Sequence, residues 1–205
     1  TCALPILKSD IDVGYYNAAV KIKTVLLGVV TSLGAVLLPR ASYYIEHGMH
    51  EKFLSIAKKA IEFVFLIATP LMVYFILFAK EGVFFLSGLA YSGSIIPMQI
   101  IMPTLLFIGL TNIMGIQMLV PLGKEKIVLY SEIIGAIMDL ILNFILIPKM
   151  ASVGAAFGTL VAEMAVWIVQ IVALRSIVLD AYREIHYKSI LVAILLGIII
   201  SGWVK

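Results

Sequence analysis

The sequence predicts an all-α protein that crosses a membrane about six times as a polytopic transmembrane helix bundle. Of its 205 residues, 62% are hydrophobic and only 13% are charged, and the mean hydropathy is +1.12. Soluble domains have smaller hydrophobic and larger charged fractions. The charged residues are also clustered, since residues 82–123 contain none. Long apolar stretches between short charged segments are typical of transmembrane helices.

Six stretches qualify as spans, because a helix needs about 20 residues to cross the roughly 30 Å hydrocarbon layer. They are residues 16–39, 60–79, 98–120, 127–147, 153–174 and 189–204. Pro70 should kink the second span, because proline removes an intrahelical hydrogen bond. Residues 82–97 are too short and too interrupted by glycine to form another span, so we expect an interfacial segment there.

The basic residues of the connecting loops predict the orientation. The loops after the first, third and fifth spans contain Arg40, Lys52, Lys58, Lys59, Lys124, Lys126, Arg175, Arg183 and Lys188. The other side contains only Lys8, Lys80, Lys149 and Lys205. The positive-inside rule places the richer side in the cytoplasm, so the chain starts outside. A first span that enters from outside is expected of a fragment cut from a longer membrane protein.

A stripe of polar and small residues runs along the first span. At roughly 100° per residue its members fall within about 60° of one line, and they are Asn17, Lys21, Thr24, Gly28, Thr31, Ser32 and Ala35. Lys21 either lines a cavity or reaches the lipid headgroups. Lys23 points about 120° away and can reach the outer headgroups. Four residues of this span are candidate substrate contacts: Asn17, Lys21, Lys23 and Thr24.

Acidic and amide side chains form a polar line on the fourth span. Glu132, Asp139 and Asn143 lie within about 20° of each other on one helix face. A charge at mid-bilayer costs on the order of 3 kcal/mol, so each needs a partner or a purpose. Either these groups only form hydrogen bonds between helices, or Glu132 and Asn143 line a substrate cavity. Asp139 is in addition a candidate for binding a coupling ion.

The fifth span has one polar face and one face of small residues. Thr159, Glu163 and Gln170 share the polar face, and Glu163 is a second candidate for ion coupling. Gly154 and Gly158 form a GxxxG ridge on roughly the opposite face, where helix packing is the usual function.

The rest of the sequence gives little support for other chemistry. His47 and His50 form a lone pair in a loop, which is typical of a solvated loop rather than a metal site. No phosphate-binding glycine loop, HExxH pattern or nucleophile elbow is present. The net charge of +3 and the single cysteine argue against a nucleic-acid binder and a disulfide scaffold. We expect no enzyme activity and no cofactor or metal, apart from a coupling Na⁺ or H⁺.

Four stretches resemble the second half of the Wzx-type polysaccharide repeat-unit flippases, members of the multidrug, oligosaccharidyl-lipid and polysaccharide exporter superfamily. They are VGYYNAAVKI at 13–22, LLPRASYY at 37–44, PLGKEK at 121–126 and NFILIPKMASVGAAFGTLVAE at 143–163. The last run is the most specific, and the resemblance covers roughly residues 13–175. Ala151 stands where that family usually has glycine, and Gly158 where alanine is common.

The resemblance implies two six-helix bundles around a cavity that opens alternately to each side. Residues 1–12 would be an outward-facing lead-in, which a non-native start would also explain. Residues 13–175 would be five spans of the C-terminal bundle, and residues 176–205 a cytoplasmic loop and a truncated sixth span. The partners would be membrane lipids and the missing N-terminal half of the same chain.

The resemblance also implies a function in the bacterial cytoplasmic membrane. Members of the family move oligosaccharide repeat units, carried on undecaprenyl pyrophosphate, to the outer leaflet for surface polysaccharides such as O-antigen. Ion coupling is expected, and Lys21 would contact the pyrophosphate. A drug or cation exporter, or a peptidoglycan-precursor flippase, is the nearest alternative. A membrane-embedded enzyme with its catalytic groups elsewhere and a membrane scaffold are more distant ones.

Overall fold

The computed structural model describes residues 9–32, 34–178, 191–192 and 194–195, and within them all regular structure is helical. Helix α1 (Asp10–Thr31) begins at Ser9, whose hydroxyl accepts a hydrogen bond from the Asp12 N–H group. Asp10 and Asp12 in the first turn complement the positive end of the helix dipole. Helix α2 (Gly34–Glu46) continues the same path at an angle of 41°. The predicted first span is therefore a bent pair of helices.

Helix α3 (His50–Leu77) corresponds to the predicted second span and starts earlier than predicted. Pro70 lies within it, and the helix continues through Pro70 without a break. The proline therefore costs this helix a hydrogen bond without dividing it.

Short helices connect α3 to the third span. They are α4 (Ala79–Ser87) and a 3₁₀ segment (Leu89–Ser94), joined at Gly88, whose φ of 88° favours glycine. The predicted interfacial segment is thus two short helical pieces rather than a span. Helix α5 (Ile95–Ile101) follows directly on the 3₁₀ segment.

The third span is broken at its middle. Helix α6 (Thr104–Thr111) runs into a π-helix (Asn112–Leu119), and this part is bent by 47° from the part that ends at Ile101. Pro103 lies at the bend, where its missing N–H group removes a backbone hydrogen bond. The predicted span 98–120 therefore exists as a bent helix.

Helix α7 (Glu125–Ala173) is a hairpin of two antiparallel arms, residues 125–150 and 152–173. The chain reverses at Ala151, whose φ of 50° and ψ of −126° are non-helical. Contacts between the arms run in opposite order along the chain. Gly154 lies against the Leu146 backbone near the turn, and the Gln170 amide donates to the Ser131 hydroxyl (3.0 Å) at the far end. The two arms correspond to the predicted fourth and fifth spans.

Two clusters of buried residues mark the two ends of the bundle. One contains Val30, Ala41, Phe53, Leu119 and Leu174. These residues come from the end of α1, from α2, from the start of α3, and from the ends of the π-helix and α7. The other contains Tyr16, Val83, Met98, Ile147 and Ala155. The loops that carry most of the described basic residues meet at the first end, as the alternation of up and down spans requires.

The surface of the first arm of α7 suits contact with lipid. Ile133, Ile137, Leu140 and Phe144 are between 45% and 59% exposed, which is unusual for so many large apolar side chains on a soluble protein. By length and hydropathy α3 and α7 qualify as membrane-spanning, as do the two bent pairs if each is one span. With α7 divided into two arms, helices account for the first five predicted spans. The sixth, residues 189–204, lies almost entirely outside the described residues.

Replacing Ala151 with glycine is expected to stabilise the protein by about 1 kcal/mol, because an L side chain is strained at this positive φ. The measurement is thermal unfolding in detergent. The same exchange at Ala165, inside the second arm, is the matched control and should lower stability by about 1 kcal/mol. A loss of stability at both positions would contradict the strained turn.

Replacing Gly154 with alanine is expected to destabilise the hairpin by about 1–3 kcal/mol. A Cβ atom there would lie 2.6 Å from the Leu146 carbonyl carbon and oxygen, and backbone atoms cannot rotate away. Gly28 of α1 has no atom within 4 Å of the same position, so Gly28→Ala should be neutral or stabilising. Thermal unfolding of both variants tests the contact, and equal effects would argue against it.

Candidate functional site

A cavity lies between the hairpin and α1, and we call it the acidic cavity. Its volume is about 310 Å³. It is lined by Tyr16, Glu132, Gly135, Ala136, Asp139, Thr159, Ala162, Glu163 and Val166. Three carboxylates from both arms thus share one space, and no basic residue is among its lining side chains. Glu132, Asp139 and Glu163 were each predicted from the sequence as polar groups within spans, and the fold brings them together.

Glycine at position 135 allows the two arms to approach closely beside the acidic cavity. A Cβ atom on Gly135 would lie 3.4 Å from the Ala162 carbonyl oxygen and would overlap the Val166 side chain. With no side chain here, the arms pack directly, and the carboxylates on neighbouring turns face a common volume.

A hydrogen bond from α1 to the second arm closes one side of the acidic cavity. The Tyr16 and Thr159 hydroxyl groups are 2.9 Å apart, and either can donate. Tyr16 is only 5% exposed, because it also belongs to the buried cluster around Ile147 and Ala155. Nothing in the sequence distinguished Tyr16, since a tyrosine near a span end is also common as an interfacial anchor.

Asn143 lies between the arms rather than on the wall of the acidic cavity. It is 2% exposed, and its amide donates to Asp139 Oδ2 at 2.9 Å. A Cβ atom on Gly158 would lie 2.6 Å from Asn143 Oδ1, so the arms enclose this side chain. The structure thus places Asn143 as a support for Asp139, which corrects the expectation that it lines the cavity. Asp139 Oδ1 has no hydrogen-bond partner among the described residues.

Gln170 is likewise separated from the polar groups of its arm. It was expected to share a face with Thr159 and Glu163, but it is 1% exposed and bonded to Ser131 of the other arm. Gln170 therefore packs between the two arms and is not among the residues that line the acidic cavity.

Lys23 is the basic group associated with the acidic cavity. It is half-buried on α1 and is an electrostatic neighbour of Glu163, which also interacts with Glu132 and Asp139. The helical wheel directed Lys23 toward the lipid headgroups, but the hairpin packs on this flank of α1 and places a carboxylate there. Opposite charges partly offset the cost of removing each from water.

Lys23, Asp139 and Glu163 lie at similar depths. Asp139 and Glu163 are each twelve residues from Ala151, or about 18 Å at 1.5 Å per residue, and Lys23 lies about 20 Å along α1 from Asp10. A bilayer with its headgroups is about 40 Å thick, so these groups lie near its middle. The three carboxylates line the same cavity but are not close enough together to bind one metal ion. Among the described residues, no three acidic, histidine or cysteine side chains form such a group.

Lys21 lines a second cavity, which we call the Lys21 cleft. Its volume is about 400 Å³, and it lies between α1 and the short helical pieces that follow α3. It is lined by Gly14, Asn17, Ala18, Lys21, Leu86, Ser87 and Tyr91. Asn17 and Lys21 therefore share one cavity, whereas Lys23 belongs to the other. Ser87 and Tyr91 could not be assigned to it from the sequence, because their segment had no predicted position relative to α1.

The polar stripe of α1 is exposed on the surface of the described bundle. Asn17, Lys21, Thr24 and Gly28 are all exposed, and the Thr24 hydroxyl donates to the Val20 carbonyl oxygen of its own helix (2.8 Å). Exposed polar side chains at this depth are unfavourable in lipid. The stripe therefore fits a surface that faces water or other protein.

Replacing Lys23 with glutamine is expected to lower thermal stability, because Glu163 loses its opposite charge in a partly buried place. Adding Glu163→Gln should restore much of the loss, giving a coupling energy of about 0.5–3 kcal/mol in a double-mutant cycle. Lys21→Gln is the matched control, since no carboxylate lines its cleft. Strictly additive effects of the two changes would mean that the pair does not interact.

Sequence comparison finds similarity to two membrane or transport proteins. No family model matches the chain. In sequence it is 30% identical over 184 residues to an uncharacterized membrane protein of Methanocaldococcus jannaschii, a match that covers 90% of this chain and 36% of that protein. It is 26% identical over 173 residues to a protein of Escherichia coli K12 named "Putative O-antigen transporter", a match that covers 84% of this chain and 41% of that protein.

A solved structure shares the fold. The lipid II flippase MurJ, in an inward closed conformation, superposes with a TM-score of 0.73 over 92% of this chain and 39% of its own length, at 16% sequence identity. The chain spans only about two fifths of these relatives. By their names, the E. coli protein is a "Putative O-antigen transporter" and the solved structure is a flippase. The chain is therefore a multi-pass membrane protein with the helical fold found in that flippase.

Proposed function

We propose that this chain forms part of a flippase that moves oligosaccharide repeat units linked to undecaprenyl pyrophosphate across the bacterial cytoplasmic membrane. The products would serve the synthesis of surface polysaccharides such as O-antigen. The similarity to the E. coli protein, the fold shared with MurJ and the four stretches noted in the sequence support this proposal. Residues 13–175 would be the second of two bundles, and the first bundle would face the exposed stripe of α1 across a central cavity.

The observation that carries the proposal is the cluster of charged groups near mid-membrane depth in an open cavity. A bundle that serves only as an anchor or scaffold has no need for Lys23, Asp139 and Glu163 at this depth, because each is costly in hydrocarbon. Transporters place such groups where substrates and coupling ions bind. The acidic cavity is 310 Å³ in volume, which is large enough for an ion with its water.

The two cavities suggest a division of roles between opposite charges. Asp139 and Glu163 would bind the coupling ion, Na⁺ or H⁺, with Glu132 nearby at the cavity wall. Carboxylates repel a pyrophosphate, so the substrate headgroup would contact the exposed stripe, where Asn17, Lys21 and Thr24 lie. Lys23 would balance the acidic cavity rather than bind the substrate.

Two specific observations support alternatives within the same fold. The likeness to MurJ favours a flippase of the peptidoglycan precursor. The excess of carboxylates in the acidic cavity favours an exporter of drugs or cations, because such a cavity attracts positive ligands.

The deciding experiment expresses the complete natural protein that contains this chain in three bacterial strains. One lacks its own repeat-unit flippase, one depends on a replaceable lipid II flippase, and one is sensitive to cationic drugs. Restored surface polysaccharide is the expected result. Growth of the second strain or drug resistance of the third, without polysaccharide, would replace the proposal with the corresponding alternative.

Replacing Asp139 with asparagine in that protein is expected to weaken the dependence of transport on the ion gradient by about tenfold or more, since a carboxylate within a membrane span is the group that carries or binds the ion. The measurement is polysaccharide export, or flipping in proteoliposomes, against an imposed Na⁺ or proton gradient. Glu125→Gln, at the exposed start of α7, is the matched control. An unchanged response of the Asp139 variant would remove the carboxylate from the coupling mechanism.

A further inference from the structure

The Lys21 cleft has a defined wall opposite α1. Gly14, Asn17, Ala18 and Lys21 are spaced i, i+3, i+4 and i+7 and so form one face of the helix. Leu86, Ser87 and Tyr91 form the other wall, from the end of α4 and the 3₁₀ segment. The volume of about 400 Å³ is within the range of small-molecule binding sites.

The aromatic part of this wall is held in place by packing on α1. The rings of Tyr15 and Tyr91 meet edge to face, with centroids 6.4 Å apart. Gly93 lies directly under the Tyr15 ring, where a Cβ atom would overlap ring carbons. Gly88, at φ 88°, turns the chain from α4 into the 3₁₀ segment. The contact with the Tyr15 ring and the backbone at Gly88 and Gly93 therefore position Tyr91.

The polar side chains that line the cleft suit a phosphorylated sugar. Lys21 supplies one cation, which suits a phosphate group. Asn17, Ser87 and Tyr91 supply neutral amide and hydroxyl groups, which suit sugar hydroxyls. No carboxylate lines the cleft, in contrast to the acidic cavity.

Exposed apolar side chains stand next to the cleft residues Leu86 and Ser87 in the chain, and this favours a lipid-borne ligand over a free one. Phe85 is 89% exposed, Leu89 is 76% exposed and Leu86 is 55% exposed. Such side chains next to a polar cavity allow a headgroup to bind inside while its hydrocarbon chain stays in the membrane.

The cleft also extends inward from the end of the bundle that lies opposite the loops rich in basic residues. Lys21 is about 16 Å along α1 from Asp10, and Ser87 and Tyr91 belong to the segment that joins α3 to α5 at that end. By the positive-inside rule this end faces outward. A headgroup bound here would lie in the outer half of the membrane.

We propose that the Lys21 cleft is an exit site, in which Lys21, Asn17, Ser87 and Tyr91 bind the phosphate and first sugar of a lipid-linked saccharide on the outer side of the membrane. The inference rests on the proposed function, and it assigns Ser87 and Tyr91 to substrate binding. An ordinary phospholipid headgroup shares the phosphate but lacks the sugar, so the two sources can be separated.

The experiment uses the complete natural protein in nanodiscs, with a photoreactive benzoylphenylalanine in place of Leu86 at the rim. The probe is a disaccharide linked to farnesyl pyrophosphate, and phosphatidylglycerol and farnesyl pyrophosphate are the competitors. We expect the probe to crosslink at residue 86 and to be displaced by the unlabelled saccharide probe, at least about tenfold better than by either competitor. Lys21→Gln should reduce crosslinking at least about tenfold, while Lys21→Arg should largely retain it.

Matched variants separate binding from folding. Lys149→Gln removes a cation at the same end of the bundle, outside the cleft, and should leave crosslinking unchanged. Tyr91→Phe and Ser87→Ala keep the wall packed and remove only hydroxyl groups, so each should weaken the saccharide probe more than farnesyl pyrophosphate.

Two results would overturn the exit site. One is equal displacement by phosphatidylglycerol, which identifies an ordinary headgroup site, and the other is unchanged crosslinking in Lys21→Gln. The proposed function fails separately: crosslinking that depends on Lys21, in a protein that restores no polysaccharide, leaves the binding site and removes the transport role. Restored polysaccharide without crosslinking would keep the transport role and remove the exit site.

Discussion

The close contact between the two arms of α7 is the constraint on which the acidic cavity depends. Gly135, Gly154 and Gly158 remove side chains along the seam, so the arms approach until backbone and amide groups touch. This approach brings Asp139 on one arm and Glu163 on the other to one cavity. Any larger residue in the seam separates the arms and with them the carboxylates. The positions of the charged groups therefore depend on the glycines of the seam, which have no side chains to hold the arms apart.

Burial of charge at mid-membrane depth explains much of the surrounding structure. Asn143 is enclosed by the arms and donates to Asp139, and Lys23 lies near Glu163 from another helix. These groups offset part of the cost of removing carboxylates from water. The Lys21 cleft needs less support, because its single cation is exposed in an open cavity. The acidic cavity has an excess of carboxylates that Lys23 partly offsets, whereas the Lys21 cleft has one cation and no carboxylate in its lining.

Hydropathy was enough to predict the helical class and five of the spans, because the apolar requirement of a bilayer is strong and local. The bends at residues 31–34 and 101–104 were not predicted, since they depend on how neighbouring helices pack. Helical periodicity placed Glu132, Asp139 and Glu163 on polar faces, and in the structure these three side chains line one cavity. It did not predict the neighbours of Lys23, Asn143 and Gln170, because these depend on which helix packs on each flank. The helix that carries a residue sets the direction of its side chain, but it does not determine which side chains of other helices lie next to it.

The turn at Ala151 has a mechanical consequence. Because one residue reverses the chain and Gly154 already touches the Leu146 backbone, neither arm can slide along the other without losing these contacts. The hairpin therefore behaves as a single stiff lever about two helices wide. A force applied at one end of the hairpin is therefore transmitted to the other end, and relative displacement is left to the bent helices beside it.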